Sequence, residues 1–376
     1  MCVLRFAVAS LFVASSALLL PQRGVADETA ASLVGRLPSG TNAIGVVHIA
    51  DMLNSPIARA EGWDEAIRRD FIAGATVVPK WADVVVIGAP VLPGAPEPLW
   101  SASLFTGPET LGVAQLAPGG TGELSQLAGK PAFVSRSGAY VAEIRPGLLA
   151  AYDPPNRQVA SRWLRSLENE SGEPASAFLA AAAASKADLV LAVDLRDMFD
   201  PVANRDFART VPGIPEAQAI AVADLITGAI GLTVEIEVAA EITATMRITF
   251  GEPIELPAEL VGTGVKVGLA ALGLSVEELE NATFAADGAD LSATFLLSRE
   301  SFGAVVSLLA PNHRHPDGSV GGMPIAEGRP AATADPASPE TEPVAGKPSD
   351  ERSARYAEAV LDAVRRMDRL YTKGTS

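Results

Sequence analysis

The sequence predicts an α+β protein built of two similar β-α-β-β-α-β-β-α halves, with antiparallel hairpins and helices on one face of each sheet. Three observations carry this. A strand running straight into a helix occurs twice, as AIGVVHIADMLNSPIA from residue 43 and LVLAVDLRDMFDPVA from residue 189. With one residue dropped, His48 aligns with Asp194, Asp51 with Asp197, Met52 with Met198, Leu53 with Phe199 and Pro56 with Pro201. Next, 233–238 and 241–250 alternate apolar and polar residues almost without a break. That is the pattern of an antiparallel hairpin with one covered face and one wet face. Finally, several strands follow one another after only a few residues, and such neighbours cannot run parallel.

Composition bounds the rest. The 376 residues are 48% hydrophobic but only 5% aromatic, so Ala, Val, Leu and Ile must fill the core. Residues 1–26 read as an export signal. Arg5 opens it, an apolar run extends to Leu20, and Pro21 breaks the run. Gly24-Val25-Ala26 supplies small residues for cleavage before Asp27. An uncleaved N-terminal membrane anchor is the alternative reading of the same run. Cleavage removes Cys2, the one cysteine, and leaves a mature chain without disulfides, thiol nucleophiles or Cys metal ligands. It also removes Arg5 and Arg23, making the chain two charges more negative than its formal −16. Such a chain repels phosphate backbones and anionic bilayers, so neither a nucleic acid nor, after signal cleavage, a membrane is the expected partner.

The elements follow in order. Residues 29–37 suggest a short helix closed by Pro38-Ser39-Gly40. Residues 44–49 are apolar and partly β-branched, hence a buried strand. A helix then starts near Asp51, a good N-cap type, and runs towards Phe71 with a break at Gly62. Strands at 84–87 and 99–105 flank a loop stiffened by Pro90, Pro93, Pro96 and Pro98. A short helix at 109–116 precedes strands at 132–135 and 140–144 around Ser137-Gly138. A helix at 154–167, with Val159, Trp163, Leu164 and Leu167 on one side, closes the half. Residues 171–174 form the hinge.

The second half repeats the scheme. Helix 175–184 leads to strand 189–195, then helices 196–208 and 216–227. The alternating hairpin at 233–250 follows. A helix at 257–272, strands at 283–286 and 291–297 around Asp287-Gly288, and a helix at 299–309 complete it. The resulting organisation is a signal (1–26), a first α+β repeat (27–170), a second (171–310), a linker and a C-terminal segment (350–376). The linker, 311–349, is rich in Pro, Ala and Gly, lacks large apolar residues, and is expected to be disordered. Residues 350–371 then form an amphipathic helix with Ala357, Val360, Leu361, Val364, Met367 and Leu370 on one side.

Chemistry-bearing residues are sparse, and no cofactor or metal is expected. The candidates for a cleft are His48 and Asp194, which occupy equivalent strand ends, and Glu235 and Glu237, which share the wet hairpin face with Glu241 and Arg247. Two carboxylates two residues apart on a strand lie about 7 Å from each other, a separation that inverting glycosidases use. The bland readings are a satisfied strand-end histidine, helix caps at Asp51 and Asp197, and acids on a solvated face. Gly262, Gly264 and Gly268 resemble a phosphate loop only in spacing, because they fall inside a helix. His313 and His315 lie in the linker without a further ligand at metal-binding spacing.

LPSGTNAIGVVHIADMLNSPIAR, DVVVIGAPVLPG and SARYAEAVLDAVRRM after a low-complexity linker resemble uncharacterised exported proteins of planctomycete-type bacteria. The resemblance covers most of the mature chain. It implies a secreted protein, and it carries no assigned activity and no catalytic residues. The expectation is therefore a periplasmic or extracellular protein that acts by binding or assembly, through an unknown protein partner or self-association of 350–371. The alternatives are an exported hydrolase using carboxylates on the open sheet face or between the halves, and a small-ligand binder at the cleft between them.

Overall fold

A computed structural model describes residues 28–73, 80–92, 98–110, 112–117, 124–135, 138–168, 176–271, 277–307 and 309. The expected signal, linker and C-terminal helix, with His313 and His315, lie outside these residues. Backbone contacts divide the chain into Met1–Glu327 and Gly328–Ser376, and every described residue belongs to the first unit.

Thr29 caps α1 (Ala30–Val34) by accepting from the Ser32 N–H. β1 (Ala43–His48) passes directly into α2 (Ile49–Asn54), which has no side-chain cap. Asp51, expected as the cap, sits instead in the first turn of α2, where a carboxylate suits the helix dipole. Ser55 caps α3 (Pro56–Glu61), with Pro56 preset for the first helical position. Gly62, at φ 67°, turns the chain into α4 (Trp63–Ala73). β2 (Val84–Ala89), β3 (Ser101–Thr106), α5 (Val113–Leu116) and β4 (Ser125–Leu127) follow. The half closes with β5 (Lys130–Val134), β6 (Tyr140–Arg145), β7 (Leu148–Asp153) and α6 (Arg157–Ser166). The sequence reading omitted β4 and β7. The run LLAAYD of β7 has no alternation to betray it, because five of its six residues are buried.

In the second half Ser176 caps α7 (Ala177–Ala182) ahead of β8 (Leu189–Asp194). α8 (Pro201–Thr210) starts later than expected. Asp200, not Asp197, caps it, and Asp197 lies in the preceding turn with φ 58°. α9 (Glu216–Thr227), β9 (Ala229–Val238), β10 (Ile242–Phe250), α10 (Ala258–Ala271) and α11 (Glu277–Glu280) come next. β11 (Ala285–Asp287), β12 (Asp290–Leu297) and α12 (Arg299–Ser307) complete the described chain.

The α+β class holds, with every strand pairing antiparallel to its neighbours. The strands join into one twelve-stranded sheet in the order β11-β12-β10-β9-β8-β1-β2-β3-β7-β6-β5-β4. From the centre outward the order β8-β9-β10-β12-β11 repeats β1-β2-β3-β7-β6, and the first half adds the β4–β5 hairpin. The join is symmetric. The alignment that equates His48 with Asp194 also equates Gly45 with Leu191, and these two residues pair directly. A pseudo-twofold axis therefore passes between β1 and β8, normal to the sheet.

Strand alternation separates two faces. On one, Ile44, Val46, Leu104, Leu148, Ala150 and Tyr152 pack under α1, α6 and α7, with Trp163 and Leu164 from α6. On the other, Val47, Val85, Phe105 and Leu149 pack against α2, α3, α4 and α5. Helices thus cover both faces of the first half. In the second half Met246, Ile248, Leu291 and Ala293 pack on Val261, Val265 and Leu279, and the opposite face is covered by α7 only over β8 and the Gly231 end of β9, so that β10 and β12 keep the expected single covered face. The difference turns on the closing helices. α6 folds onto the first face, whereas α12 folds onto the second. There Phe302 stacks on Trp63 at 5.4 Å, and Arg299 pairs with Glu61 at 2.6 Å. Leu309, just past α12, reaches Gly45, where a Cβ would come within 2.2 Å of its Cδ2. The glycines of α10 serve packing as well. A Cβ at Gly262 would meet the Phe284 ring at 2.6 Å, and one at Gly264 would crowd Val222 of α9 at 3.2 Å.

Candidate binding face

His48 and Asp194 do not share a cleft. Each ends its strand, but β1 and β8 run antiparallel, with Val47 opposite Leu189 and Ala43 opposite Val193. Equivalent ends related by the pseudo-twofold therefore fall at opposite ends of the ladder, roughly 20 Å apart at the rise of an extended strand. His48 donates its backbone N–H to Asp188 O at 2.8 Å. Its ring Nε2 is buried without a hydrogen-bond partner among the described residues.

Asp194 belongs to a compact polar knot. Only 9% of it is exposed, and Ser176, at 5%, donates its hydroxyl to Oδ2 at 2.5 Å. Arg196 donates to Oδ1 through Nε at 2.9 Å and through its backbone N–H at 3.2 Å, and its Nη2 contacts Oδ2. The Arg196 hydrogen bond is the main reason the carboxyl is held below its usual range, and the Ser176 bond adds to it against the opposing effect of burial. Ser176 also accepts from the Leu179 N–H as the cap of α7. The knot pins the start of α7 to the end of β8, a structural task. The sequence held one signal for it, a serine in front of a helical run, but nothing local names Arg196 as its partner.

Glu278 plays a similar part at the far edge. It accepts from the Ser298 N–H at 2.8 Å and the Ser301 hydroxyl at 2.7 Å. Burial alone would raise its pKa, but the hydrogen bonds from Ser298 and Ser301 outweigh that and lower it to about 2. This fixes α11 against the start of α12.

Glu235 and Glu237 fall where the alternation predicted, on the uncovered face of the second half. Glu235 is half-buried opposite Thr245, and Glu237 is exposed opposite Thr243. Arg247 is exposed opposite Thr233 on the same face. Thr294 and Leu296 of β12 extend it, and the Thr245 and Thr294 hydroxyls lie 3.1 Å apart. Neither Glu235 nor Glu237 enters an ion pair among the described residues. The face is a shallow array of hydroxyls and carboxylates with one exposed apolar residue, Leu296, at 55%. Among the described residues no group of three or more His, Cys, Asp or Glu side chains converges to hold a metal ion. No helix there is long and apolar enough to cross a membrane.

The chain matches no protein-family model, and no curated protein is significantly similar to it. Similar solved structures include crystal forms III, I and IV of TP0453, with TM-scores of 0.41, 0.39 and 0.35 and identities of 11%, 11% and 10%. Each match covers 73% of this chain and 95–97% of the other.

Proposed function

We propose that this is an exported, non-enzymatic binding or assembly protein of the periplasm or cell envelope. Its contact surface is the open face of β9, β10 and β12. One observation carries the reading. The pseudo-twofold equates this face with one that α1 and α6 cover in the first half; here α7 takes the place of α1 over β8 and the Gly231 end of β9, but no helix takes the place of α6, and the sheet beyond is left bare and lined with Thr233, Glu235, Glu237, Thr243, Thr245, Arg247 and Thr294. A broad, rigid, polar surface on paired strands suits contact with another macromolecule better than enclosure of a small substrate, which takes a concave site. The signal-like first 26 residues support export, and the strong negative charge disfavours nucleic acid. Residues 350–371 remain a second route to a partner or to self-association.

The test is site-specific photo-crosslinking in the native host. A benzophenone side chain placed at Thr294 or Thr245 is expected to give one discrete crosslinked species in the envelope fraction, and the same group at Ala203 on α8 is expected to give none. Labelling that is equal at all three sites, or no labelling at Thr294 and Thr245, would refute a binding role for this face. A full-length chain found in the cytosol with residues 1–26 intact would refute export.

A further inference from the structure

We draw no further inference here: the strongest candidate, the outer side of the α8–α9 helical hairpin where Val202 and Ile220 are exposed, is an unpartnered apolar patch, and nothing in the structure shows what covers it.

Discussion

The two halves share one strand order and differ in what lies on one face. In the first, β7 is buried on both sides, and Leu148, Ala150 and Tyr152 meet α6. In the second, the equivalent strand β12 presents Ser292, Thr294 and Leu296 on that side, and no helix from the described residues lies over that side of β10 and β12. Strand composition and helix placement agree in each case. A strand destined for two helical layers is apolar throughout, and a strand with one bare face alternates. Duplication of a fold thus does not duplicate its surface. One helix that changes sides turns a closed layer into an open one, and the strands beneath it carry matching residues.

Substitutions on the two faces test this contrast. The largest effect is expected on the closed face. Leu148→Ala removes a side chain that is 1% exposed and leaves a cavity beneath α6, so it should lose about 2–5 kcal/mol in urea unfolding. A loss under about 1 kcal/mol would mean that α6 does not close that layer.

Asp194→Asn comes next, at about 1–3 kcal/mol, because it withdraws the charge that Arg196 and Ser176 address. Its sign with pH is definite. The folded carboxyl lies below its usual range, so its stabilisation is complete at neutral pH and is lost as pH falls through the folded value. The variant should therefore flatten the acid limb of the stability curve, and an unchanged limb would count against the knot.

Glu278→Gln tests the open half in the same way, at about 1–2 kcal/mol. Its contribution is full above the ordinary 4.5 and fades as pH falls towards about 2. Acid titration followed by tryptophan fluorescence, to which Trp63 against α12 contributes with three other tryptophans, should show the difference between wild type and variant in that window.

Gly45→Ala probes the seam. The intruding atoms belong to the end of the Leu309 side chain, which can swing away, so a loss of about 1 kcal/mol is expected. Faster amide exchange in α12 should accompany it. The smallest effect belongs to the bare face. Thr245→Val should change stability by less than about 0.5 kcal/mol, as surface substitutions usually do. A loss of 2 kcal/mol there would show that the face is covered in solution.

Much of the architecture was legible in the chain. The β9–β10 hairpin stands close to where alternation places it, because that period is recorded residue by residue, and α9, α10 and α12 stand close to the helices expected at 216–227, 257–272 and 299–309. Glu235 and Glu237 were placed on the correct face for the same reason. The lapses are equally specific. β7 escaped because burial on both faces erases alternation. Asp197 and Asp200 are both good cap types, and the backbone of the intervening turn, with Asp197 at φ 58°, leaves the cap to Asp200. The His48–Asp194 cleft failed because a sequence repeat states which residues are equivalent, not which way the copies face each other.

The α+β class, the paired halves, the alternating hairpin and the wet face bearing Glu235 and Glu237 can all be read along the chain. The paired halves follow from the repeated strand–helix segment, and the rest from periods of two or 3.6 residues within single segments. Three further points arise from contacts between distant segments. The halves share one sheet through β1 and β8, α12 crosses to the face opposite α6, and the two candidate strand ends lie far apart. Each depends on backbone pairing or packing between segments distant in the chain, and no local period records which distant partner a segment will choose.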